Sequence, residues 1–153
     1  MPGRDVQILR VHAGEADRVA PLFALYREFY GRRYDEATAA DFLRDRLEQG
    51  QSVVLLAALG GTQPVGFTQL YPGFSSVSAA PAWVLGDLYV LESARGLGVA
   101  AALMEHSERL ARAAGAISLT LETGRDNHVA QRLYERQGYR VDSGYLHYEK
   151  SLT

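Results

Sequence analysis

Arg95, Gly96 and Gly98 follow an apolar run, Val84-Leu85-Gly86-Asp87-Leu88-Tyr89-Val90, after a short connector over residues 91–94. An alanine-rich stretch, Val99-Ala100-Ala101-Ala102-Leu103, begins at once behind them. Two glycines at a strand-to-helix junction permit a tight turn and let a ligand approach bare backbone. The first N–H groups of the helix lack internal partners and stand at the positive end of its dipole. A phosphate or pyrophosphate is the natural occupant, and Arg95 adds a charge of bidentate geometry. The same residues are also compatible with a bare turn beside a solvated arginine. A third reading is a dinucleotide fingerprint, Gly96-x-Gly98-x-x-Ala101, with Glu122 ending the following strand as a ribose-binding acid. That fingerprint should sit directly on a strand end, usually the first of its domain. Here residues 91–95 intervene and half the chain precedes it.

The elements that must position these residues are legible from hydrophobic period. Residues 6–12 alternate as a first strand. From Asp17 to Tyr30 apolar residues recur at three- and four-residue steps and predict a helix ended by Gly31. A second helix is predicted over residues 38–49, with Phe42, Leu43 and Leu47 as its stripe. Residues 52–59, SVVLLAAL, form a continuous apolar run, the mark of a strand covered on both faces. A turn at residues 60–63 returns the chain as a strand to Tyr71, and a small-residue loop over 74–81 leads into the strand ending at Val90. A long helix then runs to about Gly115. Residues 117–122 give the next strand, parallel to the one before the helix. Asp126 or Asn127 caps a further helix ended by Gly138, and residues 139–141 and 145–148 are expected as a closing pair of strands. The order is β-αα-βββ-α-β-α-ββ, one mixed-sheet α/β domain.

Bulk properties narrow the function. With 153 residues and 47% hydrophobic composition the chain can bury one real core. Sixteen Lys and Arg against eighteen Asp and Glu leave a net charge of −2, which argues against a dedicated nucleic-acid binder. With no cysteine, disulfides, thiolate zinc sites and a thiol nucleophile are excluded. The four histidines, His12, His106, His128 and His147, show no ligand spacing, so no metal is expected. No signal-like or membrane-spanning run occurs, and a soluble, cytoplasmic protein is the expectation.

The second half of the chain decides among the readings of Arg95–Gly98. Arg95, Gly98 and Ala100 meet the Gln/Arg-x-x-Gly-x-Gly/Ala pattern, and NHVAQRLYERQGY carries Asn127, Ala130, Leu133, Tyr134, Gly138 and Tyr139 at the spacing Asn-x-x-Ala-x-x-Leu-Tyr-x-x-x-Gly-Phe/Tyr. In both motifs, in order and separated by a helix and a strand, the sequence resembles the GCN5-related N-acetyltransferases. Within that family GDLYV and YLHYEK look like the histone- and polyamine-acetylating group. The resemblance implies a single-domain fold over residues 1–153, with a mixed central sheet of about seven strands and helices on both faces. It implies acetyl-CoA as the donor and an amine as acceptor, whether a small amine, polyamine, amino acid or protein lysine. A homodimer is also implied, through the closing strand.

In such a fold the strand ending at Val90 and the strand over 117–122 splay apart. The pantetheine arm would bond the backbone of Leu88, Tyr89 and Val90, and the pyrophosphate would rest on Arg95, Gly96, Leu97, Gly98, Val99 and Ala100. An alkylamine of pKa ~10.4 is almost wholly protonated at pH 7, so attack needs proton removal. A backbone N–H of the Leu88–Val90 segment is the expected oxyanion donor. Tyr134 occupies the position of the acid that protonates the leaving thiolate. Asn127 is a good helix N-cap by chemistry alone and, by resemblance, a cofactor contact. The base is the departure: polyamine-acetylating relatives place a Glu where this chain has Gly86, and others place one where it has Val84. Asp87 is then the candidate base or amine anchor. Strand alternation puts it opposite Leu88 and Val90 unless a bulge at Gly86 intervenes. A water chain is the other source of a base, and a non-catalytic acyl-CoA-binding domain is the alternative function. Tyr26, Tyr30, Tyr34, Tyr71, Phe74, Trp83, Tyr145 and Tyr148 supply aromatic surface for an ammonium group, and Glu28, Asp35 and Glu36 supply negative charge nearby.

Overall fold

Every residue of Val53–Leu59 is buried, as a strand covered on both faces requires. In the computed structural model, which describes residues 5–153, this strand is β2, between β1 (Val6–Val11) and β3 (Gln63–Tyr71). The chain divides into two units, one ending at Glu122 and the other spanning Thr123–Thr153. The first also holds α1 (Ala16–Phe29), α2 (Glu36–Glu48), a two-residue pair β4 (Phe74–Ser75) and β5 (Ala80–Pro81), β6 (Trp83–Val90), α3 (Val99–Ala113) and β7 (Leu119–Thr120). Its sheet runs β1-β2-β3-β6-β7. All neighbours are antiparallel except β6 and β7, which are parallel and joined through α3.

Alternate residues of β2 serve two cores. Val54 and Leu56 join Phe67 under α1 and α2, where Val19, Phe23 and Leu43 also sit. Leu55, Ala57 and Leu59 join Val65 under α3, against Val99 and Leu103. Phe67, Leu43 and Leu103 are wholly inaccessible, and burying a side chain of this kind stabilises the fold by about 1.5–3 kcal/mol. The same alternation sorts β6: Tyr89 packs on the α1/α2 side, Leu88 and Val90 on the α3 side.

The mixed α/β architecture with helices on both faces is the expected one, but several elements differ in extent. Among the described residues the sheet holds five strands rather than about seven. Residues 139–141 and 145–148, expected as a closing strand pair, carry no strand. Val141, Tyr145, Leu146 and Tyr148 are more than four-fifths exposed; alternating apolar residues make a strand only where a face is buried, and an isolated ribbon is marginal at best. The second unit therefore consists of α4 (His128–Arg136) and irregular chain around it. The loop over 74–81 contains the short β4–β5 ladder, with Phe74 opposite Pro81. Helix α2 begins before residue 38 because Asp35 is its N-cap, accepting from Thr38 N at 3.0 Å. No helix among the described residues is long and apolar enough to cross a membrane.

Candidate active site

β6 has a partner on both sides only at its start. Trp83 and Val84 pair with Leu119 and Thr120 of β7, and the ladder stops there. On the other side β3 accompanies β6 to Val90. Among the described residues, the β6 edge from Leu85 to Val90 that faces away from β3 therefore carries no strand. Leu91 N donates to Val65 O of β3 at 2.8 Å, so the Val90 carbonyl, in the same peptide plane, points the opposite way, toward that open edge. Arg95 Nε reaches it at 3.1 Å, and the guanidinium lies 5.9 Å from the centre of the Tyr89 ring. The arginine is thus folded back onto the strand end, still exposed, at the mouth of the gap.

The connector is anchored by a 3-10 turn at Glu92–Ala94 that buries Ala94 in the α3-side core. Gly98 then caps α3 in the left-handed conformation, with φ 81° and ψ 11°. No side chain caps this end and no acid occupies its first turn. The first bond into the helix is Ala102 N to Gly98 O, at 3.0 Å, so the N–H groups of Val99, Ala100 and Ala101 precede the helical ladder. Val99 is buried and locks the first turn to the core, whereas Gly96, Leu97 and Gly98 are exposed. An uncapped helix start thus lies beside an open strand edge, an arrangement suited to an anion, and both belong to the first unit.

A second constellation lies on the α1/α2 side of β6. The ladder skips one residue there: Leu70 pairs with Leu85 and Gln69 with Asp87, which leaves Gly86 as a bulge. Beyond the bulge alternation resumes, so Asp87 shares the face of Tyr89 and stands opposite Leu88 and Val90. Its carboxylate accepts from Gln69 Nε2 at 2.8 Å, and its carbonyl accepts from Thr68 Oγ1 at 2.7 Å. Burial raises the Asp87 carboxyl above the usual carboxylate range, and the Gln69 amide and Tyr26 phenol pull it partly back. Burial and the Asp87 charge drive the Tyr26 phenol far up, and they push Tyr71 up to about 12. Both phenols stay protonated at neutral pH, and Tyr26 donates to the Asp87 carboxylate. Asp87 is the carboxylate on which the Gln69 and Tyr26 donors converge.

Tyr26 continues outward into an aromatic ladder, 5.0 Å from Tyr30, which stands 5.2 Å from Phe29. Tyr30 and Phe29 are largely exposed. The other aromatic and acidic candidates are employed elsewhere. Tyr34 donates to Glu36, and Asp35 caps α2. Trp83, at the far end of β6, lines a separate cavity of about 510 Å³ with Val11, Ser52 and Leu110. Phe74 is exposed on the short β4–β5 pair. Sequence reasoning missed Gln69; its signal was a polar pair, Thr68-Gln69, inside an otherwise apolar strand.

In the second unit Asn127 does cap α4, its side chain accepting from Ala130 N at 3.2 Å. Gln131 Nε2 closes the preceding loop on Gly124 O and Arg125 O, at 3.0 and 2.9 Å. Tyr134 is partly buried, with its ring 6.3 Å from that of Tyr139.

Comparison with known proteins adds to this geometry. A sequence model described as the acetyltransferase (GNAT) family matches residues 19–139. The chain is 43% identical over 143 residues to an uncharacterized N-acetyltransferase, YhfO, of Bacillus subtilis (strain 168), covering 94% of this chain and 95% of that protein. The crystal structure of a probable acetyltransferase superposes with a TM-score of 0.90 at 38% identity, covering 96% and 98% of the two chains. An aminoglycoside N(6')-acetyltransferase of Acinetobacter genomosp. 13 is 25% identical over 122 residues, 78% of this chain and 83% of that protein.

Proposed function

Because the chain belongs to the GNAT family of acetyltransferases, we propose that residues 1–153 act as one domain that moves an acetyl group from acetyl-CoA to a primary amine by direct attack on the thioester. The observation that carries this reading is the pairing of an uncapped α3 N-terminus with a β6 edge left bare beyond Val84. A pyrophosphate fits the first, and an extended arm bearing amides fits the second. Acetyl-CoA, when bound, supplies an activated acyl carbon and a thiolate leaving group. The rest of the chemistry falls to the chain. Arg95 and the N–H groups of residues 98–100 hold the anionic end, with Gly96 and Leu97 completing the loop. Leu88, Tyr89 and Val90 align the arm, and a backbone N–H of this segment donates to the carbonyl oxygen as it gains negative charge. Asp87 receives the ammonium group and takes its proton. Tyr134 returns a proton to the leaving sulfur, and Asn127 supports the cofactor while capping α4. For Tyr134 and Asn127 the support is the motif they complete.

The test is acetyl-CoA turnover against a panel of small amines, polyamines, amino acids and lysine peptides, read as free thiol. At least one amine is expected to raise thiol release well above the hydrolytic background. CoA binding with no acceptor-dependent release would sink the reading.

A specific consequence concerns Gly98. A β-branched residue at a positive φ costs about 1–3 kcal/mol, and the strain falls on the first turn of α3. Gly98→Val is expected to raise the KM for acetyl-CoA by about tenfold or more, equivalent to ~1.4 kcal/mol, with a smaller effect on the amine. An unchanged acetyl-CoA KM would show that the donor's anionic end is held elsewhere.

A further inference from the structure

Gly86 stands where the sequence resemblance implies an acidic side chain, and its surroundings show why no side chain stands there. Its backbone lies outside the left-handed region, so conformation does not demand glycine. Tyr71 does. A Cβ at residue 86 would stand 2.5 Å from Cε2 and 2.7 Å from Cδ2 of the Tyr71 ring. Those atoms belong to a rigid ring close to its own backbone, so they cannot yield as the end of a long aliphatic chain could. The ring is seated directly on the bare backbone of the bulge. Tyr71 lies on the same face of β3 as Phe67 and Gln69, four and two residues back, and its phenol feels the charge of Asp87. The carboxylate therefore has the Gln69 amide at 2.8 Å, the Tyr26 phenol of α1 beside it, and the Tyr71 ring over the residue preceding it.

We propose that Tyr71 is a positioning residue of the acceptor site: its ring, seated on Gly86, walls the Asp87 carboxylate and fixes the direction from which an amine can meet it. The inference rests on the reading of Asp87 as the group that receives the amine. Gly86 and Tyr71 then form a matched pair, because a side chain at 86 and this ring exclude each other. Trading a second carboxylate for an aromatic wall leaves one negative group with a single approach, where two acids would offer a broad negative surface.

The test is steady-state kinetics by thiol release, with acetyl-CoA and whichever of butylamine, phenethylamine and putrescine gives the highest wild-type rate. Tyr71→Ala and Gly86→Ala are each expected to raise the amine KM by about tenfold while the acetyl-CoA KM stays within about twofold. Tyr71→Phe, which keeps the ring, should recover most of the loss seen with alanine. The double variant Gly86→Ala/Tyr71→Ala should be no worse than Tyr71→Ala alone, because both changes act through one contact. A general packing defect would move both KM values together and leave the two substitutions additive. The proposal is overturned if Tyr71→Ala leaves the amine KM within about twofold of wild type, if both KM values rise alike, or if the double variant is additive. These outcomes stand on Tyr71→Ala even if Gly86→Ala does not fold. A wild type that releases no thiol with any amine removes the Asp87 reading and this inference with it. An active wild type indifferent to Tyr71 removes this inference alone.

Discussion

Asp87→Asn is expected to lower kcat/KM for the amine about a hundredfold, close to 2.7 kcal/mol of transition-state stabilisation, while leaving the protein at least as stable at pH 7. The two halves of this result have one cause. Burial lifts the folded-state pKa of Asp87 above its ordinary value of 3.8, so the folded protein holds this proton more tightly than the unfolded chain does. Below pH 3.8 both states are protonated and the carboxyl costs nothing. As pH rises through the interval between 3.8 and the raised value, the unfolded chain ionises first and stability falls; above that interval the full penalty applies. Asparagine keeps the shape and a hydrogen bond to Gln69 without the charge. Thermal melts should therefore show Asp87→Asn gaining on wild type as the pH rises above about 4 and losing that advantage in acid. A variant that is much less stable at pH 7 would mean that the carboxylate is structural. Unchanged turnover would mean that the base lies elsewhere.

Tyr134→Phe is expected to lower kcat by about a hundredfold or more, the range of a positioned general acid, with the acetyl-CoA KM nearly unchanged. The substitution deletes one oxygen from a partly buried side chain and keeps the ring that approaches Tyr139, so α4 should persist. An equal fall in kcat and kcat/KM marks an interaction made only in the transition state. A rise in acetyl-CoA KM with kcat intact would instead make Tyr134 a binding contact. Full turnover would remove it from the proton-transfer role.

The parts of this protein that were legible in its sequence are those set by neighbours along the chain. Gly98 before an alanine-rich run announces a helix start in any context, and the structure places it there in the left-handed conformation. Asn127 reads as a cap because its partner, Ala130 N, is three residues away. The apolar continuity of β2 reveals two covered faces without naming what covers them. The cap of α2 was equally local, in Asp35 and Thr38, yet went unread because charges in a loop resemble mere solvation.

What could not be read depends on register. Gln69 meets Asp87 through the pairing register of β3 with β6, and neither strand alone specifies that register. From the sequence, Gly86 is a missing acid; in the fold it is the floor under an aromatic ring. Tyr145 and Tyr148 show the converse error. Their spacing suits a strand, but spacing supplies no partner, and both side chains stand in solvent.

The early divergence of β6 and β7 has a bearing on the protein's behaviour in storage and in the crowded cell. Sheets ordinarily guard their margins with short, charged or covered strands. Here a segment without a strand partner on its outer side belongs to a strand one place in from the sheet's end, where sequence devices that blunt an outer margin do not act. Such an edge is a template for any extended peptide. An amide-bearing donor seated along it would occupy the edge and deny it to stray chains. If acetyl-CoA binds there as proposed, it is expected to slow aggregation of the protein as well as to supply the acetyl group, a difference that light scattering with and without CoA would read.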